Sequence, residues 1–323
     1  MYSISQLQTI INQSIKDKQY VGSPAELYEP INYLMALGGK RMRPVFLLMA
    51  YDLFGNDIKE AINPALGIEV FHNFTLMHDD IMDKAPLRRN MPTVHKKWSE
   101  SAAILSGDLM LIEAYKLVMQ VNSTVLAKVL TVFNDTAVGV CEGQQIDMNF
   151  EKVDDVEVDE YINMIRLKTA ILLGAALKIG AIIGNSNQVT SNLLYEFGVN
   201  MGLAFQLQDD ILDVYGDPEK FGKQVGGDII SNKKTFMLIK AKELAKGKIE
   251  ISLNHWLNET DKHLEKVKAL TAIYDTLEVR QLAETEMTNF AKMAINSLNQ
   301  ITVSEDKKET LRSFAESILV REH

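Results

Sequence analysis

Two short segments carry the same arrangement of carboxylates: Asp79-Asp80-Ile81-Met82-Asp83 and Asp209-Asp210-Ile211-Leu212-Asp213. Each stands at the C-terminal end of a long segment whose apolar residues recur with helical period. Residues four apart share a helix face, which pairs Asp79 with Asp83 and Asp209 with Asp213. Like charges at that spacing repel by about 0.2–0.5 kcal/mol in an isolated helix, and the C-terminal end of a helix is itself negative. Both effects reverse when a cation sits between the carboxylates. Mg²⁺ suits such a place, because it takes one or two carboxylates and completes its octahedron with phosphate oxygens and water. Two clusters facing one cavity would grip a diphosphate from both sides, which makes Asp79, Asp80, Asp83, Asp209, Asp210 and Asp213 the candidate metal ligands. One copy alone reads equally well as a solvated acidic helix end; the second copy, with apolar residues at the same internal positions, favours the metal. Neither segment has the glycine-containing loop of an EF-hand.

A diphosphate also needs positive charge. Gly38-Gly39-Lys40-Arg41-Met42-Arg43-Pro44 puts three cations in a glycine-opened turn, where backbone can approach an anion closely. Arg88-Arg89 follows the first aspartate cluster, and Lys168, Lys223, Lys233 and Lys234 lie in the second half. Taken singly, each cation is more readily a surface charge than a ligand, and His72 in its apolar segment is more readily a core histidine.

The elements that must hold these groups are helices. Helical runs are predicted near 43–54, 61–84, 101–121, 124–149, 157–183, 189–215, 233–245, 261–274, 276–298 and 305–320, and the start of the chain is polar and helical in pattern. Ser23, Pro24 and Glu26 predict a capping box with proline at the first helical position. Pro30 restarts or kinks the next helix, which ends at Gly38-Gly39. Strand signals are nearly absent and no alternating βα blocks occur, which disfavours a parallel sheet. The acidic stretch 151–160 and the segment 184–187 read as loops within one all-α domain spanning 1–323. The small residues of 174–184 would let neighbouring helices approach closely.

Composition is that of a globular chain, 46% hydrophobic and 24% charged. A net charge of −9 argues against a nucleic-acid surface. It leaves room for a small phosphorylated molecule held through metal ions. The single cysteine, Cys141, excludes an internal disulfide and fits a reducing cytoplasm. The greasiest stretch, 169–184, is short for a membrane span and contains Lys178, so a buried helix is expected there, with no integral membrane segment.

Together these motifs resemble the trans-prenyltransferase (polyprenyl synthetase) family over nearly the whole chain. GGKRxRP matches 38–44, the first aspartate-rich motif with its following Arg-Arg matches 79–89, and KTA matches 168–170. FQxxDDxLD matches 205–213, and GKxxGxDxxxxKxT matches 222–235. The resemblance implies an all-α bundle of the isoprenoid synthase type around a central deep apolar cavity, usually a homodimer. It further implies Mg²⁺, three ions per site with Mn²⁺ able to substitute, and head-to-tail condensation of isopentenyl diphosphate with dimethylallyl, geranyl or farnesyl diphosphate. Lys40, Arg43, His72 and Arg89 would hold the diphosphate of isopentenyl diphosphate. Arg88, Lys168, Lys223 and Lys233 would contact the allylic diphosphate, with Thr169 and Gln206 lining the reaction centre. His78 and His95 carry weaker functional readings. Catalysis would rest on Asp79, Asp80, Asp83, Arg88, Lys168, Asp209 and Lys223, neutralising the diphosphate as it leaves. Asn90 and Asn232 replace family glycines, and asparagine tolerates positive φ.

Phe74, about 7.5 Å down the helix axis from Asp79, matches the family position whose aromatic forms a floor for the growing tail, with the smaller Thr75 beside it. The first motif lacks the two-residue insertion of many bacterial farnesyl diphosphate synthases. The expected product is therefore geranylgeranyl diphosphate, with farnesyl diphosphate the alternative. More distant readings are a terpene cyclase, disfavoured by the second intact motif and the basic loop, and a non-catalytic subunit of a heteromeric synthase, disfavoured by retention of both motifs.

Overall fold

A computed structural model describes residues 2–217 and 226–319. Lys223 falls outside the described residues. Helices α1 (Ile4–Asp17), α2 (Glu29–Ala36), α3 (Met42–Asp52), α4 (Lys59–Met82), α5 (Val94–Lys97), α6 (Glu100–Val118), α7 (Ser123–Phe150), α8 (Val158–Ile165), α9 (Ile171–Ile183) and α10 (Gln188–Tyr215) follow in order. Six further helices span Gly227–Ile230, Phe236–Leu244, Lys248–Leu257, His263–Thr276, Val279–Asn299 and Glu305–Leu319. Among the described residues the only strands are β1 (Leu87–Arg88) and β2 (Met91–Pro92), which form one antiparallel hairpin. The all-α expectation holds.

Two compact units are present. The first comprises Met1–Asn134, Ala175–Leu194 and Val303–Thr310; the second comprises Asp135–Gly174, Tyr195–Thr302 and Leu311–His323. In the first, α4 lies along α6 through positions kept small. A Cβ on Gly67 would meet Val118 Cγ2 at 2.6 Å and the Ala114 carbonyl at 3.0 Å. The expectation that the small residues near 174–184 allow close approach is met at Gly180, whose Cβ would fall 2.0 Å from the Leu47 carbonyl oxygen on α3. In the second unit, Tyr161, Ile165, Leu207, Phe236, Leu270 and Tyr274 share one buried core.

Helix boundaries depart from expectation in four places. Ser23 caps nothing: Pro24 takes the N-cap position of a single 3₁₀ turn, Ala25–Leu27, with no side-chain cap. Proline has no hydroxyl to offer, and reciprocal capping boxes occur instead at Ser3 with Gln6 and at Glu157 with Glu160. The predicted run 157–183 is interrupted by a π-helical segment, Arg166–Ala170, between α8 and α9. The helices Val94–Lys97, Gly227–Ile230 and Lys248–Leu257 were not expected. Finally, α7, rather than the 169–184 stretch, is the helix long and apolar enough to cross a membrane. Its exposed positions Lys128, Asn134, Asp135, Glu142 and Gln145 form a polar stripe that lipid would not tolerate. The 169–184 stretch itself is mostly buried, as expected.

Candidate active site

In the first unit the Asp79–Asp83 motif closes α4. Helical period separates its carboxylates: Asp79 is half-buried, Asp80 is 3% exposed and Asp83, the C-cap residue, is exposed. Asp80 is turned inward and receives Arg88 bidentately, Nε donating to Oδ2 at 2.9 Å and Nη2 to Oδ1 at 2.8 Å. Arg88 is delivered by the β1–β2 hairpin, whose two turn residues, Arg89 and Asn90, have φ of 53° and 63°. Positive φ at both turn positions is the geometry that matches strand twist in a two-residue hairpin. Asn90 thus does what a glycine would do there, as the sequence predicts, and Asn232 (φ 53°) does likewise.

Beside this motif lies a cradle of positive charge. Arg89 Nη1 donates to the Gly38 carbonyl. Gly39 has φ 135°, and a Cβ there would fall 2.9 Å from Arg89 Nη2, so glycine is required. Lys40 is exposed. Arg43 Nη1 donates to His72 Nε2 at 3.1 Å. Since guanidinium has no acceptor, the imidazole accepts and carries its proton on Nδ1. Arg43 Nε is buried and has no partner among the described residues. Burial holds His72 well below the usual imidazole range, reinforced by the charges of Arg43, Arg89, Arg88 and Arg41. Burial likewise draws Arg43 down, opposed by Glu69. Such crowding of cations is relieved by a bound anion. Arg41, by contrast, points inward and pairs with Glu69.

On α4, five residues before Asp79, the Phe74 ring stands edge-on to His78 at 4.9 Å and tilted against Phe71 at 5.6 Å. Thr75 Oγ1 donates to the His72 carbonyl at 2.8 Å. His78 Nε2 lies 3.2 Å from the Ile104 carbonyl, and His95 is buried without a partner for either ring nitrogen among the described residues.

The second unit repeats the arrangement. Asp209 and Asp213 are half-buried and Asp210 is 3% exposed. Asp210 accepts from the Tyr161 hydroxyl and, at 3.2 Å, from Gln206 Nε2. Burial pushes its carboxyl up to about 7; the charge of Asp228 adds to this, while the hydrogen bonds and Lys233 oppose it. Burial beside Asp210 keeps the Tyr161 phenol protonated and donating. Thr169 Oγ1 reaches Gln206 Oε1 at 3.4 Å. Lys168 sits in the π-helical segment, with Nζ on Asp147 Oδ2 at 2.6 Å. Asp213 Oδ2 accepts from the Asp228 amide at 3.0 Å. Lys233 is exposed.

Asp147, Tyr161, Asp228 and the pair Arg41–Glu69 were not singled out from sequence. Glu69, a lone acid in an apolar helical run, was the available signal. A charged cavity of about 730 Å³ in this unit, walled by Asp154, Glu157, Lys234, Lys242 and Glu250 among others, is not the apolar pocket that the family resemblance implies.

For magnesium, the donor chemistry fits. Asp79 with Asp83 and Asp209 with Asp213 are helical i, i+4 carboxylates that are not fully buried. Among the described residues no group of three or more His, Cys, Asp or Glu could hold a metal unaided. An ion that draws its remaining ligands from water and substrate phosphate needs no such group.

Residues 24–274 match the polyprenyl synthetase family. The chain is similar to the short chain isoprenyl diphosphate synthase of Methanothermobacter thermautotrophicus, at 38% identity over 97% of this chain and 94% of that protein. It is 39% identical to the geranylgeranyl diphosphate synthase of Sulfolobus acidocaldarius, over 92% of each chain. A crystal structure of a geranylgeranyl pyrophosphate synthase superposes with a TM-score of 0.95 at 41% identity, covering 99% of both chains. The chain belongs to the polyprenyl synthetase family. It is a prenyltransferase.

The neutral state of His72 has a measurable consequence. Its folded pKa is depressed, so its contribution to stability is present above the unfolded value of 6.5 and is lost as pH falls below it. Unfolding free energies of wild-type and His72→Gln protein, measured by denaturant titration, should therefore converge between pH 7 and pH 5, by up to about 1.4 kcal/mol per pH unit. Parallel curves would show that His72 is not held neutral.

Proposed function

We propose that this chain condenses isopentenyl diphosphate with allylic diphosphates and releases chiefly geranylgeranyl diphosphate. The observation that carries the reading is the repeated placement of outer carboxylates at two helix ends, each accompanied by basic side chains. Asp79 and Asp83, and Asp209 and Asp213, are the residues that would hold magnesium. When bound, the metal neutralises the diphosphate as it separates from the allylic carbon. Asp80 and Asp210, engaged by Arg88 and by Tyr161 and Gln206, orient the motifs from behind.

Lys40, Arg43, His72 and Arg89 bind isopentenyl diphosphate, with His72 presenting Arg43 rather than adding charge. Arg88, Lys168, Lys223 and Lys233 take the allylic diphosphate. Arg88 and Lys168 are ready for it because Asp80 and Asp147 hold them extended. Thr169 and Gln206 place neutral oxygens beside the second carboxylate set, where developing positive charge is tolerated. The double bond of isopentenyl diphosphate attacks the allylic carbon, and the departing diphosphate removes the proton. We place this activity in the cytoplasm, in one catalytic domain, with no nucleic-acid partner.

The test is an incubation of purified protein with Mg²⁺, isopentenyl diphosphate and each allylic primer in turn, with products sized chromatographically. A C20 diphosphate is expected, and Asp79→Asn should lower kcat by about 10²–10³-fold. Hydrocarbon from allylic substrate alone, or no turnover without a second protein, would overturn the reading.

Phe74 closes the tail pocket in this reading, supported by its rigid contacts with Phe71 and His78. Phe74→Ala should shift the product by one or more C5 units; an unchanged profile removes Phe74 as the floor.

The homodimer is proposed from α6. Leu105 and Ile112 of α6 and Met119 at its C-cap recur every seven residues and are 59%, 53% and 48% exposed, an apolar line along one side of the helix. Light scattering should give a dimer for wild-type protein and a monomer for Ile112→Asp; a monomeric wild type would exclude the assignment.

A further inference from the structure

We infer that Arg41 and Glu69 are a buried positioning pair that fixes the diphosphate cradle of Lys40, Arg43, His72 and Arg89, and so sets affinity for isopentenyl diphosphate. The inference rests on the function proposed above, and it concerns two residues that contact no substrate in that scheme. Arg41 is the N-cap residue of α3 and has φ 51°. A non-glycine residue there costs about 1 kcal/mol or more and persists only when its surroundings determine it. Its side chain is 2% exposed and that of Glu69 3%. Nη1 donates to Glu69 Oε1 at 2.6 Å, and Nη2 donates to the Met35 carbonyl at 2.7 Å. One guanidinium thereby joins the end of α2, the start of α3 and the middle of α4.

Glu69 is fixed in turn. Asn73 Nδ2 donates to its carboxylate at 3.0 Å and to its backbone carbonyl at 2.8 Å. Arg41 stands between Lys40 and Arg43 in sequence, and Glu69 stands one helical turn before His72. The Arg41–Glu69 and Arg43–His72 contacts are therefore two adjacent rungs between α3 and α4. Displacing the first rung moves the second, and with it the donors that face the anion. Stability alone does not account for a buried ion pair, because well-packed apolar residues of similar volume commonly serve as well or better. What the pair supplies is position, together with the Glu69 charge that opposes the effect of burial on Arg43.

Titration calorimetry with isopentenyl diphosphate alone reads the cradle without turnover, and steady-state kinetics reads both substrates. Glu69→Gln should weaken isopentenyl diphosphate binding about tenfold or more, equivalent to about 1.4 kcal/mol per factor of ten. It should raise KM for isopentenyl diphosphate alike while leaving KM for the allylic substrate unchanged. Removing one partner of a buried pair can unfold a protein, so the double variant Arg41→Met/Glu69→Leu is the control. It should melt near wild type and show the same selective loss. Wild-type affinity in the folded double variant, or an equal rise in KM for both substrates, would overturn the inference. Wild-type protein that binds isopentenyl diphosphate but never condenses it would instead refute the proposed function and leave the cradle standing.

Discussion

Negative charge concentrated at a helix terminus that is already negative is the constraint around which the chain is organised. Asp79 and Asp83, and again Asp209 and Asp213, are one turn apart at the C-terminal ends of α4 and α10, where macrodipole and mutual repulsion both act against them. Helical period carries the middle carboxylate of each motif inward, where the fold gives Asp80 to Arg88 and Asp210 to Tyr161 and Gln206. Each motif thus has a buried, hydrogen-bonded inner carboxylate and an outer pair nearer solvent. A cation between the outer carboxylates would offset both the repulsion and the helix dipole.

The basic side chains obey the complementary rule. Cations meant for an anion must survive its absence, and an unpaired charge in a half-buried setting is costly. Arg88 rests on Asp80 and Lys168 on Asp147, while Arg43 leans on an imidazole kept neutral by burial and by the surrounding positive charges. Pre-pairing gives each cation a defined direction, which reduces the ordering cost when a diphosphate binds. Arg43 keeps Nε without a partner among the described residues while Nη1 is held by His72.

What the sequence reveals and conceals follows from the range of the interactions. Period alone identifies α4 and α10 and places both aspartate motifs at helix ends, because that information is local. Asn90 and Asn232, which stand where the family resemblance puts glycine, both have positive φ. Sequence cannot rank the three cations of residues 40–43, because what separates Arg41 from its neighbours is Glu69 on another helix. Nor can it separate Asp80 from Asp79 without knowing which face of α4 meets the core. Ser23 has the right residues three apart for a capping box, yet no α-helix follows, only the Ala25–Leu27 turn. A local signal there yields to the path the chain must take.

The π-helical segment around Lys168 shows how a backbone irregularity enters the chemistry. An α-helix through Arg166–Ala170 would rotate every later side chain by a constant 100° per residue, whereas one wider turn inserts a single offset. The segment is held by α7: a Cβ on Gly143 would come within 2.3 Å of the Lys168 amide nitrogen, so the two backbones touch there. From that contact, Asp147 lies one turn further along α7 and receives the Lys168 ammonium. On the other side, Gly202 of α10 accepts Ala170, whose Cα lies 2.7 Å from where a Cβ on Gly202 would be. Two glycines on two helices therefore clamp the segment, and Thr169, between them, is turned toward Gln206 one turn past Gly202. Lys168 and Thr169, adjacent in this segment, thus meet partners on two different helices, Asp147 on α7 and Gln206 on α10.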